Sequence, residues 1–293
     1  MAAAHSTLAH VVDIGGSHVT AATVERSGTP RVVERSTSAI DTHGDRGTLL
    51  TTIGDTLRPL ASGAHGWTIA MPGPFDYERG IGSFEGVEKF SGLANVDLRA
   101  ALSSILRIPG NRVTFINDAL AYGIGEWSVS LERPQRFVCI TLGTGIGSAF
   151  LDAGHPVETG PEVPPHGWAH LLECNGAPLE DAVSTRAIQR RYSRDGGGNL
   201  EVREIAERAR AGELRATALL ETAMVQLGGV LAPWVDSFRA TEVVVGGSMA
   251  RSWDILGAAF SRGLAIGGHS TVAVHPSKLL DDAPLVGAAT HAL

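Results

Sequence analysis

The sequence predicts an α/β fold with mixed sheets, and three observations carry that reading. Short β-rich runs alternate with segments of helical periodicity along nearly the whole chain. Two of those runs end in glycine clusters and lead at once into another apolar strand: residues 8–17 (LAHVVDIGGS) before 19–24, and residues 137–147 (FVCITLGTGIG) before 148–151. Each reads as a β-hairpin with a glycine tip, and their wide spacing predicts an internal duplication of domains rather than a short-period repeat. Glycine is in excess, 36 of 293 residues, which is about 12% against a usual value near 7%.

The other elements follow in order. A third strand is expected over 31–38 and an amphipathic helix over 46–60. A strand over 67–70 ends at Met71-Pro-Gly-Pro74, and Asp97 is placed to cap a helix over 97–106. Residues 113–116 read as a buried strand, and Asp118 opens the next helix. Helical periodicity recurs over 179–192, 202–211 and 214–238. A strand over 242–245 ends at Gly246-Gly247-Ser248; a helix over 251–264, a strand over 271–274 and a small apolar helix over 284–292 complete the chain. No low-complexity linker separates the halves. The expected division is an N-terminal domain, 1–118, completed by a terminal helix at 283–293, and a second domain, 119–282, with the active site in the cleft between them.

Composition excludes several functions. With 31 acidic and 24 basic residues the net charge is −7, which disfavours a protein that binds nucleic acid by neutralising phosphates. Lys89 and Lys278 are the two lysines of the sequence and neither follows a glycine, so there is no Walker A loop and no kinase VAIK lysine. Residues 1–10 lack the basic and apolar regions of a secretory signal. The longest largely apolar stretch, 223–235, is interrupted by Gln226 and Pro233 and is too short for a bilayer. Cys139 and Cys174 form no CxxC pair, so neither a disulfide framework nor a cysteine-rich zinc site is expected. The reading is a cytoplasmic protein with no membrane partner.

Five segments carry residues suited to chemistry. In Asp13-Ile-Gly-Gly-Ser17, Gly15 and Gly16 let backbone N–H groups approach an anion, and Asp13 could position a hydrated Mg²⁺; a plain hairpin turn is the alternative. Gly143-Thr144-Gly145-Ile-Gly147 is a second glycine turn, followed by a strand rather than the helix a dinucleotide site needs. Two such turns in matching hairpins read as a clamp on a triphosphate. Asn117-Asp118 stands at a strand-to-helix switch, where Asp118 could accept a proton from a substrate hydroxyl or simply cap the helix. The two glycines inside that helix, Gly123 and Gly125, imply a close backbone approach. Gly246-Gly247 again offers backbone to a ligand, with a capped turn as the alternative. His166-Gly-Trp-Ala-His170 has metal-ligand spacing without the glutamate of HExxH, so zinc is not expected and hydrogen bonding is the preferred reading.

Together these segments resemble the ROK family (repressor, open reading frame, kinase) of actin-like sugar kinases. Asp13–Ser17 resembles the family's first phosphate loop, Met71-Pro-Gly-Pro74 its PGP turn near the sugar, and Asn117-Asp118-Ala119 with Gly125-Glu126 its NDA…GE segment. Leu142–Gly147 resembles the second phosphate loop, and Val245–Ser248 the adenosine-side turn. The resemblance implies two actin-like (ribonuclease H-like) domains, each a mixed sheet flanked by helices. It makes Asp118 the general base and makes Asn117 and, on the PGP turn, Gly73 sugar-side residues. The phosphates fall to Gly15, Gly16, Ser17, Gly143, Thr144 and Gly145, with Gly246 and Gly247 beside the adenosine. Where relatives carry GEIGH and a three-cysteine zinc motif, this chain has Gly167 in place of the glutamate and keeps His170. By the same alignment Glu180 is a candidate sugar ligand and Lys89 falls at the usual sugar-side asparagine.

The function implied is an ATP- and Mg²⁺-dependent kinase acting on a primary hydroxyl of a hexose or hexose-like polyol, working as a homodimer. The alternatives are a sugar-binding pseudoenzyme, a polyphosphate-dependent hexose kinase, and a repressor. The last needs a helix-turn-helix domain, for which the twelve residues before Asp13 leave no room.

Overall fold

A computed structural model describes residues 7–87, 89–268 and 272–291. The chain divides into two compact units, Met1–Val129 with Asp281–Leu293, and Ser130–Leu280.

In the first unit, strands β1 (Leu8–Ile14), β2 (His18–Glu25) and β3 (Arg31–Ala39) form an antiparallel meander, followed by α1 (Arg46–Leu57) and β4 (Trp67–Met71). A two-residue hairpin, β5 (Phe75–Asp76) and β6 (Ile81–Gly82), precedes α2 (Leu98–Leu106), β7 (Val113–Asn117) and α3 (Asp118–Val129). β4 pairs parallel to β1, and β7 parallel to β4, giving the sheet order β3-β2-β1-β4-β7. Asp97 caps α2 by accepting from Ala100 N at 2.8 Å, as sequence spacing predicts, and Asp45 likewise caps α1 through Thr48 N at 2.8 Å. One face of the sheet buries Val12, Ile14 and Ile69 against Leu49, Ile53 and Leu102 of the helices.

The second unit repeats the plan. β8 (Arg136–Leu142), β9 (Ile146–Asp152) and β10 (His155–Pro156) are antiparallel neighbours. A small hairpin, β11 (Glu173–Cys174) and β12 (Ala177–Pro178), leads to α4 (Glu180–Val183), α5 (Thr185–Tyr192), α6 (Val202–Arg210) and α7 (Leu214–Ser237). β13 (Glu242–Gly246) pairs parallel to β8, and after α8 (Trp253–Gly267), β14 (Ala273–Pro276) pairs parallel to β13. The order β10-β9-β8-β13-β14 has the same pattern of antiparallel and parallel neighbours as the first sheet. The expected duplication is therefore a duplication of topology. The chain ends in α9 (Ala283–His291), which belongs to the first unit.

Four boundaries differ from the sequence reading. The expected helix over 179–192 is two helices, because Ser184 leaves helical geometry and caps α5 by accepting from Ala187 N at 3.2 Å. The expected helix over 251–264 begins at Trp253 and is preceded by a 3-10 turn, Ser248–Ser252. The strand expected over 271–274 runs from Ala273, Thr271 lying outside the described residues, as do Ala292 of the terminal helix and residues 1–6 of the start. The division between units falls after Val129 rather than at Asp118, so α3 stays with the first unit.

The cause of that last difference is a backbone-to-backbone contact. A Cβ on Gly125 would fall on the Ala283 carbonyl oxygen and 3.0 Å from Gly287 N, and one on Gly287 would fall on the Ala121 carbonyl oxygen. Helices α3 and α9 thus meet without side chains between them. Gly228 and Gly263 do the same for α7 and α8: a Cβ on Gly263 would lie 3.0 Å from Gly228 Cα.

Helix α7, at 24 residues, is longer than the apolar run seen in the sequence and is long and apolar enough to cross a membrane. Its apolar stripe, including Leu220, Met224, Leu227 and Leu231, is buried in the core of its own unit at helical spacing.

Overpacking of this kind typically costs 1–3 kcal/mol. Gly287→Ala should destabilise the protein by about 2–3 kcal/mol in urea titrations. Gly229→Ala, whose Cβ would meet only the Gly263 carbonyl oxygen at 3.9 Å, should not destabilise the protein and should gain up to about 1 kcal/mol from helix propensity.

Candidate active site

In the first unit, functional side chains gather where strands end. β1 delivers Asp13, and the turn after it closes when Gly15 N donates to the His18 carbonyl oxygen at 2.9 Å. Ser17 Oγ lies 2.9 Å from His18 Nδ1. Gly16 is the tight position: a Cβ there would fall on Lys89 Nζ and lie 3.2 Å from Lys89 Cε. The ammonium of Lys89 therefore stands over the first glycine turn.

At the end of β7, Asn117 caps α3, its Oδ1 accepting from Leu120 N at 3.0 Å. Capping thus falls to Asn117, and Asp118 is left to accept from Ala119 N at 2.8 Å. The Asn117 amide donates to Asp118 Oδ1 at 3.2 Å and to Tyr77 Oη at 3.0 Å, while Tyr77 Oη donates to the Met71 carbonyl oxygen at 3.1 Å. Gly73 lies beside this relay, 3.7 Å separating Tyr77 Oη from the position of a Cβ there.

The charges in this unit oppose one another. Burial first, then the charges of Asp118 and Asp281, push the Asp13 carboxyl up to about 7. Burial also raises the Asp118 carboxyl, against the pull of backbone N–H groups, the Lys89 charge and the Asn117 amide.

The second unit holds the other glycine turns. Gly143 N donates to the Gly145 carbonyl oxygen at 3.0 Å, and the Gly143 carbonyl oxygen accepts from both Thr185 N at 2.9 Å and Thr185 Oγ1 at 3.0 Å. Glu180 Oε1 accepts from Ile146 N at 2.7 Å, and a Cβ on Gly145 would meet that oxygen at 2.6 Å. Gly247 has φ +78°, and a Cβ there would run into the backbone of Leu142, so the third glycine turn packs directly against the strand end that opens the second. Gly167 is buried at φ +71°; its carbonyl oxygen accepts from Ser148 Oγ at 2.6 Å. The His166, Trp168 and His170 rings stack in sequence at 4.9 and 5.4 Å. Burial lowers the His170 pKa, opposed by the charge of Glu180.

Within the first unit the structure brings together Asp13, Gly15, Gly16, Lys89 and Asp118. Gly73 and Asn117 join them through Tyr77. Within the second it brings together Gly143, Gly145, Glu180 and Gly247, with Thr144 at the tip of the turn and Gly246 paired with Thr141 across β13 and β8. Two side chains have partners that the sequence does not reveal. The Asn117 side chain is engaged in positioning Asp118, and Glu180 is engaged by a main-chain amide of the second turn. Two residues were missed: Tyr77, whose only signal is its place after the PGP turn, and Asp281, which reads locally as a helix-start acid.

These residues fit an anionic nucleotide with a divalent cation. At the second turn the backbone of Gly143 is open, with nothing within 4 Å of a Cβ there, and at the first Gly16 faces the Lys89 ammonium. The Asp13 carboxyl stands with those of Asp118 and Asp281, a gathering of acid that a cation would relieve. Among the described residues no group of three or more His, Cys, Asp or Glu is arranged to hold a metal.

Comparisons with known proteins bear on the fold and the family. A glucokinase of Thermotoga maritima is 24% identical, over 95% of this chain and 95% of its own length. An N-acetylmannosamine kinase of Haemophilus influenzae is 28% identical, over 60% of this chain and 64% of its own. A ROK family glucokinase from Streptomyces griseus, solved in complex with glucose and AMPPNP, shares the fold at a TM-score of 0.76 and 23% identity, over 97% of this chain and 98% of that one. The model of the ROK family matches residues 9–293. Duplicated sheets, glycine turns at equivalent strand ends and a family match running nearly end to end lead to one conclusion: the chain belongs to the ROK family.

Proposed function

We propose that the chain is a sugar kinase that transfers the terminal phosphoryl group of ATP to a primary hydroxyl of a hexose or hexose-like polyol. The observation that carries this reading is Asp118, a half-buried carboxylate at the first turn of α3, released from capping by Asn117 and held in place by it.

The acceptor hydroxyl gives its proton to the Asp118 carboxylate as its oxygen bonds to phosphorus. The bond from phosphorus to the bridging oxygen breaks, and ADP leaves with that electron pair. By resemblance to the family, the phosphates fall to amides at Gly15, Gly16 and Ser17 and at Gly143, Thr144 and Gly145, with Gly246 and Gly247 beside the adenosine. A Mg²⁺ ion, held by Asp13 through water, would neutralise phosphate charge. Gly73, Asn117, His170 and Glu180 serve the acceptor side, Asn117 and Glu180 partly through the positions they fix. Glucose and N-acetylmannosamine are the acceptors named in the relatives. The same reading places the enzyme in the cytoplasm, where ATP and Mg²⁺ are supplied, and as a homodimer, which light scattering checks.

The direct test is an ADP-release screen over glucose, mannose, N-acetylmannosamine and cyclitols, repeated with GTP and polyphosphate as donors. Asp118→Asn should lower kcat by about 10³-fold while AMPPNP still binds; turnover within tenfold of wild type would sink the base assignment. Because the base must be ionised and burial raises its pKa, kcat/KM should fall with acid at a pH above the ordinary carboxylate range near 4.

Asp13 carries a second pH signature. Its folded pKa lies above the ordinary value, so its favourable contribution to stability is complete below about pH 4 and is lost as pH rises through about 7. That loss is on the order of 2–4 kcal/mol. Asp13→Asn should therefore raise the thermal midpoint at pH 8 in the absence of Mg²⁺, and the gain should vanish by pH 4.

A further inference from the structure

We infer that Lys89 is a catalytic cation that binds the terminal phosphoryl group of the donor, rather than a ligand of the sugar. The inference rests on the kinase reading above, with Asp118 as the base.

Two positions fix where the ammonium works. Its Nζ occupies the space a side chain on Gly16 would fill, directly over the first glycine turn. It is also close enough to Asp118 for its charge to favour that carboxylate. The acceptor oxygen must hydrogen-bond to Asp118 and bond to phosphorus in the same step, so the phosphoryl group being transferred lies within one oxygen of the base. Among the phosphates of a nucleotide, only the terminal one can be near both that oxygen and the Gly16 amide.

The chemistry of the side chain agrees. An ammonium offers three donors and no acceptor, which suits phosphoryl oxygens carrying charge in the transition state. Sugar hydroxyls are better served by carboxylates and amides, which accept as well as donate. The need is local: Asp13, Asp118 and Asp281 place three carboxylates around this turn, and each repels an incoming phosphate. Lys89 supplies the positive charge that the absent Walker lysine would supply elsewhere, from a loop after β6 instead of from the glycine turn itself.

Equilibrium binding tests this without knowledge of the acceptor. The affinities of the full-length chain for AMPPNP and for ADP, each with Mg²⁺, are measured in wild type, Lys89→Gln and Lys89→Arg. Loss of one charge-assisted contact should weaken AMPPNP by about 10- to 100-fold in Lys89→Gln. ADP should change by less than about twofold, and Lys89→Arg should recover part of the difference. A lysine that only braces the carboxylates would move both affinities together, and an unchanged AMPPNP-to-ADP ratio would overturn the inference. Asp118→Asn separates the two claims: it should lower turnover about 10³-fold while the preference for AMPPNP over ADP becomes no weaker than in wild type, since a carboxylate that repels phosphate is removed. Turnover lost in Asp118→Asn with the ratio kept in Lys89→Gln rejects the lysine role alone. A wild-type chain that binds neither nucleotide rejects the kinase reading and the lysine role with it.

Discussion

The contact on which the first unit depends is the meeting of α3 and α9, backbone against backbone. Helix α3 begins with Asp118, and α9 is entered through Asp281 and Asp282. Gly125 and Gly287 leave no room for a side chain at the crossing, so the separation of the two helices is set by main-chain atoms, which cannot repack. Fixing that distance fixes the start of each helix, and with it the spacing of Asp118, Asp281 and Asp13. A flexible crossing would let these carboxylates drift apart and relax their mutual repulsion. The glycines set the helix crossing on which the positions of these carboxylates depend.

The second unit uses the same device for a different end. Gly228 and Gly263 clamp α7 against α8, and β13, which lies between those helices in the chain, runs out at Gly246-Gly247 beside Leu142. Two glycine turns are thereby stacked at neighbouring strand ends, and Glu180 ties the second of them to the segment that follows β12. A shared topology has therefore been put to two uses. In one copy the strand ends carry carboxylates, and in the other they present bare amides.

Much of this was legible in the sequence, because it rests on local signals. The two hairpins, the aspartate cap of α2, and the glycine turns depend on residues close together in the chain. The glycines within 119–126 pointed to a close approach, and Gly125 makes one. What escaped depends on tertiary contact. The unit boundary was placed at Asp118 because nothing local shows that α3 packs on a helix some 160 residues later. The amide of Asn117 is spoken for by Tyr77, forty residues upstream, and the carboxylate of Glu180 by Ile146 N. Both were legible as polar residues near a site, but their partners were not. Lys89 stood out for its rarity, while its place over Gly16 is a property of the folded chain alone.

That rarity has a practical side. With two ε-amines in the whole sequence, an amine-selective reagent acts on this protein almost as a site-directed label. Isotopic reductive methylation would place one pair of methyl reporters beside the first glycine turn and one near the entry to α9. The first turn, whose chemistry is otherwise carried by main-chain amides and silent carboxylates, would then have a resonance of its own.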